Sequence, residues 1–201
     1  MYKLDFEKIT EEFAWHETGH VVVSFLHKIV PYGAVINPPL KGYTMYPALY
    51  LQMRGQLWDV LLAGHAWVMK FVGSEQCSLY DTSDNSDWSK LGMPSHETVE
   101  TLTNALLERT KFMDGVSHEI HDMILKDKMV MGFGLDCAYA RFRIGRRAEC
   151  AEYERWFENE GTVLRKQCRL RDARELTGFF IHADLNFDSP WEYAEDTAEL
   201  G

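Results

Sequence analysis

Between residues 7 and 27 apolar positions recur three and four apart, through Ile9, Phe13, Trp15, Val21, Val22, Val23, Phe25 and Leu26. That spacing predicts one well-buried helix. After Pro31 the period changes: GAVINPP and GYTMYP are β-prone and punctuated by Pro38, Pro39 and Gly42, which predicts a small strand pair or an edge strand. Helical spacing returns over residues 48–72, through Leu51, Leu57, Val60, Leu61, Ala63 and Phe71, with Gly73 as its stop. Beyond Gly73 every element reads as helical. SEQCSLYDTSDNSDWSKL is a polar loop into a short helix, its first turn capped by Asp84 and Asp87 or by Ser83 and Ser86. Pro94 and Ser95 open a helix that runs to about residue 113, and Gly115 separates it from another beginning near Ser117. MGFGLD is expected to be a turn. Two further helices are expected over 137–159 and 162–176, split at Gly161 and weakened at Gly145. The fold class is therefore mainly α, with a small β element next to the first helix.

Composition sharpens this picture in three ways. At 201 residues, 46% of them hydrophobic, the chain can bury a core as one domain. The last twenty residues contain no Lys or Arg, so the expected division is a domain over 1–180 and an acidic tail over 181–201. The net charge of -10 argues against nucleic acid as a partner, because phosphate affinity needs a positive field. The four cysteines, Cys77, Cys137, Cys150 and Cys168, form no C-x-x-C pair and are expected to be buried free thiols. VVVSFLHKIV and DVLLAGHAWVMKFVG are interrupted by His or Lys and fall short of the roughly 20 residues that span a bilayer. The first residues mix charges where a signal peptide has a basic start and an apolar run. A cytoplasmic protein with no membrane span in this chain is expected.

Candidate chemistry lies inside the first helix, at AWHETGHVVV. Residues four apart on a helix sit about 40 degrees apart around its axis, so His16 and His20 project from one face. Glu17 stands beside them. This is the H-E-x-x-H arrangement of zinc hydrolases, in which two histidines bind Zn2+ and the Glu takes a proton from the metal-bound water. Ile9, Phe13 and Val23 share the same face, so a pair of core histidines is the competing reading. An open zinc site needs a third protein ligand, and His65, Asp81, Asp84, Asp87, His96, His118 and His121 are the downstream candidates.

AWHETGHVVVSFL resembles the active-site helix of the FtsH-type ATP-dependent zinc proteases, whose pattern is A-x-H-E-A-G-H-A. The likeness continues in order. VINPPLKGYTMYP is similar to that family's strand segment ending in a Gly-Tyr-Thr-like turn, and LLAGHAWVMKFVGSE to its helix L-L-G-G-R-A-A-E-E-x-x-x-G. DTSDNSDWSKL falls where the family has G-A-S-N-D-L-x-x-A, whose Asp is the third zinc ligand. The resemblance covers residues 14–91. It implies a zinc peptidase domain in which His16, His20 and Asp87 hold the metal, with Asp84 as the alternative, and Glu17 is general base and then acid. The implied substrate is unfolded or extended polypeptide, which the β element could hold by strand addition.

The chain departs from the family in three places. It holds neither a membrane anchor nor a G-x-x-x-x-G-K-[ST] loop, so unfolding of substrate is expected from a separate ATPase or unfoldase partner. Ser83, Asp84, Asn85 and Ser86 replace the family's Gly-Ala-Ser run, and His65, Trp67 and Val68 replace its Arg and Glu pair. Homo-oligomerisation is left open. A non-catalytic adaptor keeping the same fold, or a zinc hydrolase acting on other substrates, are the competing classes. SHEIH, with histidines at 118 and 121, reads as an exposed polar helix face. The arginines from Arg141 to Arg174 alternate with acids and read as solvated ion pairs or as a docking surface for the acidic tail. The methionines read as core filler.

Overall fold

The computed structural model describes residues 6–38, 41–47, 57–73 and 96–167. They are mainly helical around one small sheet. The first helix, α1 (Phe6–Leu26), is buried on nearly every side from Glu12 to Leu26, as a helix apolar all round must be. It packs against α2 (Trp58–Phe71), against α4 (Asp114–Asp127) and against the sheet. α1 stops because Lys28 takes a left-handed conformation, φ 61°, and the amides of His27 and Ile29 turn back onto the carbonyl of Ser24.

The sheet is antiparallel, ordered β2-β1-β3, with β1 (Gly33–Asn37), β2 (Lys41–Met45) and β3 (Met129–Met131). Its register pairs Ala34 with Thr44 and Val130, and Ile36 with Gly42. Side chains alternate across a strand, so these positions share one face, and Ala34, Ile36 and Val130 are buried there. Both sequence-predicted strands after Pro31 are present.

The remaining helices are α3 (His96–Arg109), α4, α5 (Phe133–Gly145), α6 (Arg147–Trp156) and α7 (Thr162–Gln167), with a π turn over Phe157–Gly161 joining the last two. Several expectations are corrected. β3 is a strand where a wholly helical region with a turn was expected: three residues are too few to show a period, and pairing with β1 creates them. Two of them, Met129 and Met131, are exposed rather than core filler. Only Gly132, φ 49°, makes the turn of MGFGLD. The break before α4 falls at Thr110, whose hydroxyl bonds to the Leu106 carbonyl, and a 3-10 turn (Lys111–Met113) follows. Gly115 lies inside the first turn of α4, where its flexibility costs little. Residues 137–159 are not one helix, because the chain breaks between α5 and α6 at Gly145 and Arg146. α2 begins at Trp58, and the expected helical residues 48–56, like the acidic tail over 181–201, lie outside the described residues. Among those described, no helix is long and apolar enough to cross a membrane.

Asp59, in the first turn of α2, ties three elements together. His27 Nε2 lies 2.5 Å from its Oδ2 and the Tyr153 hydroxyl donates to the same oxygen at 2.6 Å. The carboxyl is fully buried. It therefore fixes the end of α1 and the start of α2 against α6. Burial, and then the charge of Asp59, push the Tyr153 hydroxyl well above its ordinary value.

Candidate functional site

The crossing of α1 over α2 is made possible by two glycines. A Cβ on Gly19 would stand 2.2 Å from the carbonyl oxygen of Ala63, so the two backbones touch. A Cβ on Gly64 would stand 2.6 Å from His16 Nε2 and 2.7 Å from His20 Nε2. The two imidazoles thus lie over bare helix backbone.

Their orientation follows from the hydrogen bonds. His20 Nδ1 is 2.8 Å from the carbonyl of Val60, one turn before Gly64. A carbonyl only accepts, so Nδ1 carries a proton, and the tautomer this selects for a neutral ring has its lone pair at Nε2. That nitrogen is 3.1 Å from His16 Nε2, with the rings nearly perpendicular at 79°. Two nitrogens each 2.0–2.1 Å from one tetrahedral zinc would stand about 3.3 Å apart. The pair present fits that requirement, and the Val60 carbonyl is the kind of outer partner that fixes a ligating histidine's tautomer.

Glu17 is 2% exposed, on the neighbouring side of α1. Strand β2 reaches it with two inward positions. The Thr44 hydroxyl donates to Glu17 Oε2 at 2.6 Å, and a Cβ on Gly42 would stand 2.6 Å from Oε1. Two residues on, the Tyr46 hydroxyl donates to the His20 carbonyl at 3.1 Å. A buried carboxylate beside two convergent imidazoles can accept a proton and release it again without binding a metal itself.

The other candidate ligands are placed elsewhere or lie outside the described residues. His118 and His121, on α4, surround Trp15: its indole stacks between Phe71 at 3.9 Å and His121 at 3.8 Å, with His118 edge-on at 5.2 Å. The Trp15 N–H donates to Glu11 Oε1 at 3.1 Å, and His121 Nε2 is 3.3 Å from the same oxygen. Burial holds His121 below its ordinary value, against the opposing pull of Glu11. His121 is therefore a core residue, which corrects its reading as part of an exposed face. Ser117 is corrected likewise: it is buried and accepts a hydrogen bond from the Trp67 indole at 2.9 Å. His118 is exposed as expected.

His65 is buried on α2. Among the described residues no group of three His, Cys, Asp or Glu side chains is arranged to hold a metal, so neither His65, His118 nor His121 completes the pair at His16 and His20. Asp87, the expected third ligand, its alternative Asp84, and Asp81 lie outside the described residues, as does the side chain of His96. The expected ion pairs of the arginine-rich stretch are present, Arg143 with Glu154 at 2.9 Å and Arg146 with Glu149 at 3.0 Å. Cys137 and Cys150 are free, Cys150 buried as expected and Cys137 only half-buried, while Cys77 and Cys168 lie outside the described residues.

Sequence reasoning did not single out Thr44, Gly42, Gly64 or Val60 as parts of the site. Each acts on α1 from an element distant in sequence, which spacing along one helix does not report. No protein-family model matches this chain, and no curated protein matches it.

Proposed function

We propose that this chain is a zinc metallopeptidase of the FtsH type, hydrolysing peptide bonds in unfolded or extended polypeptide. The observation that carries the reading is the convergence of two imidazole nitrogens to 3.1 Å beside a buried carboxylate that binds neither of them. His16 and His20 would hold the metal, with Asp87, or Asp84 in its place, as the third ligand. When bound, zinc supplies Lewis acidity, which acidifies water and polarises a scissile carbonyl.

The chain's own residues do the rest. The Val60 carbonyl keeps the proton of His20 on Nδ1, so that Nε2 stays available as a ligand. Glu17 takes a proton from the attacking water and returns it to the leaving amine nitrogen, the two transfers that amide hydrolysis needs. β2 lies at one edge of the sheet, next to Glu17, and an extended substrate would pair along it by strand addition. A folded substrate cannot present such a strand, which is why a separate unfoldase partner belongs to the proposal.

A structural zinc site or an adaptor would not require a free carboxylate at this position. Glu17 is buried, hydrogen bonded and uncommitted to any basic side chain in the described contacts, which favours the catalytic reading. The test is metal analysis of purified protein together with cleavage of an unfolded protein before and after chelation. One zinc per chain, with cleavage lost to chelator and restored by zinc, is expected. Absence of metal under zinc-replete conditions would sink the site assignment, and zinc without cleavage of any unfolded protein would leave the adaptor.

A further inference from the structure

We propose that Thr44 is the positioning residue of Glu17: its hydroxyl, delivered by strand β2, sets which way the carboxylate faces. The inference rests on the hydrolase reading for its catalytic consequence, and on geometry alone for its structural one.

A carboxylate on a helix has three torsions to explore. Both oxygens of Glu17 face alternate positions of one strand, because residues 42 and 44 share a face with period two. Oε2 receives the Thr44 hydroxyl at 2.6 Å, short enough for a hydrogen bond to a charged acceptor. Oε1 rests against the backbone of Gly42, where any Cβ would meet it at 2.6 Å. The threonine hydroxyl is the donor and the carboxylate oxygen the acceptor. Threonine is also the donor with the least freedom, since a β-branched side chain is stiff at χ1. The register that pairs Thr44 with the buried Ala34 makes a slip of one residue costly, because it would turn Thr44 to the opposite face. The same strand offers its edge to substrate, so the element that would bind the peptide also aims the group that moves its protons.

Thr44→Val removes the donor at nearly constant shape, and Thr44→Ser keeps the donor while removing the methyl. For Thr44→Val we expect kcat lower by about ten- to a hundredfold, the loss of one hydrogen bond to a charged group, with KM within about twofold. Thr44→Ser should restore kcat to within about threefold of wild type, the hydroxyl being the group that matters. Zinc content should be unchanged in both variants; the thermal midpoint should fall in Thr44→Val, which leaves a buried carboxylate oxygen without its donor, and hold in Thr44→Ser. Unchanged kcat in Thr44→Val, or equal losses in the valine and serine variants, would overturn the proposal.

Crystal structures of the two variants read the same point without turnover. The Glu17 carboxylate should be displaced in Thr44→Val and in place in Thr44→Ser; an identical position in both would overturn the proposal even in an active enzyme. Failure of the hydrolase reading shows itself separately, as wild-type protein that cleaves nothing, and leaves the crystallographic comparison to decide the role of Thr44.

Discussion

Adding a single methyl group at Gly64 should separate the metal site from the fold. The new Cβ would lie 2.6 Å from His16 Nε2 and 2.7 Å from His20 Nε2, so both rings must retreat by about 1 Å to reach ordinary van der Waals contact. Two opposing terms act on stability. Alanine gains about 1 kcal/mol over glycine in a helix interior, while overpacking costs about 1–3 kcal/mol. The clash falls on side chains and not on backbone, so the two terms leave a net loss in metal-free stability of only about 0–2 kcal/mol.

Zinc affinity has no such compensation. Displacing both ligands breaks the 3.1 Å convergence and the bond from His20 to Val60, and loss of an outer partner alone typically costs about 10–100-fold. Competition with a chromophoric chelator would measure the affinity, and urea unfolding with and without zinc the stability. Gly19→Ala is the control: its Cβ would meet the carbonyl oxygen of Ala63 at 2.2 Å, and backbone cannot give. That variant should lose about 3 kcal/mol or fail to fold. Zinc affinity of Gly64→Ala within about twofold of wild type would refute the placement of the site over Gly64.

Three further outcomes follow from the same contacts. Tyr153→Phe removes the hydroxyl that donates to the buried Asp59 carboxyl, and should lower stability by about 1.5–3 kcal/mol in urea unfolding, with little effect on zinc binding. Because Tyr153 has its value raised in the folded state, its contribution is present below pH of about 10 and lost as pH rises beyond it; Tyr153→Phe should remove that alkaline loss. His121, held low by burial against Glu11 and Asp122, contributes stability above pH of about 6.5 that is lost as pH falls through its folded value, and His121→Phe, which keeps the stack on Trp15, should flatten that acid limb in a pH series of thermal midpoints. Lys128, at φ 59°, caps α4 in the left-handed region, so Lys128→Gly should raise stability by about 1 kcal/mol, and a loss of similar size would contradict the backbone conformation.

How much of this was legible from the sequence depends on the range over which each feature is decided. α1 carries its own periodicity, and its expected bounds match those observed within a residue. β1 and β2 announce themselves by β-prone runs between Pro31 and Pro47. β3 does not, because three residues become a strand only against β1. The pairing of His16 with His20 follows from spacing four apart, while the tautomer of His20, the Thr44 bond to Glu17 and the bare surface at Gly64 come from elements 27 to 48 residues distant in sequence. His121 shows the opposite error: its local neighbours Glu119 and Asp122 are polar, and its ring is covered by the Trp15 indole from another helix. The third ligand depends on residues outside those described.

The central claim, that His16, Glu17 and His20 form a hydrolytic zinc site, meets its most direct test in Glu17→Gln. Zinc content and cleavage of an unfolded protein should be measured on the same preparations of wild type and variant. Glutamine preserves size and can still meet Thr44 with its carbonyl oxygen, but it cannot take up a proton near neutral pH. One zinc per chain in both proteins, with cleavage by the wild type only and a loss in the variant of at least about a hundredfold, is the predicted result. Equal cleavage by both proteins at equal zinc content would contradict it.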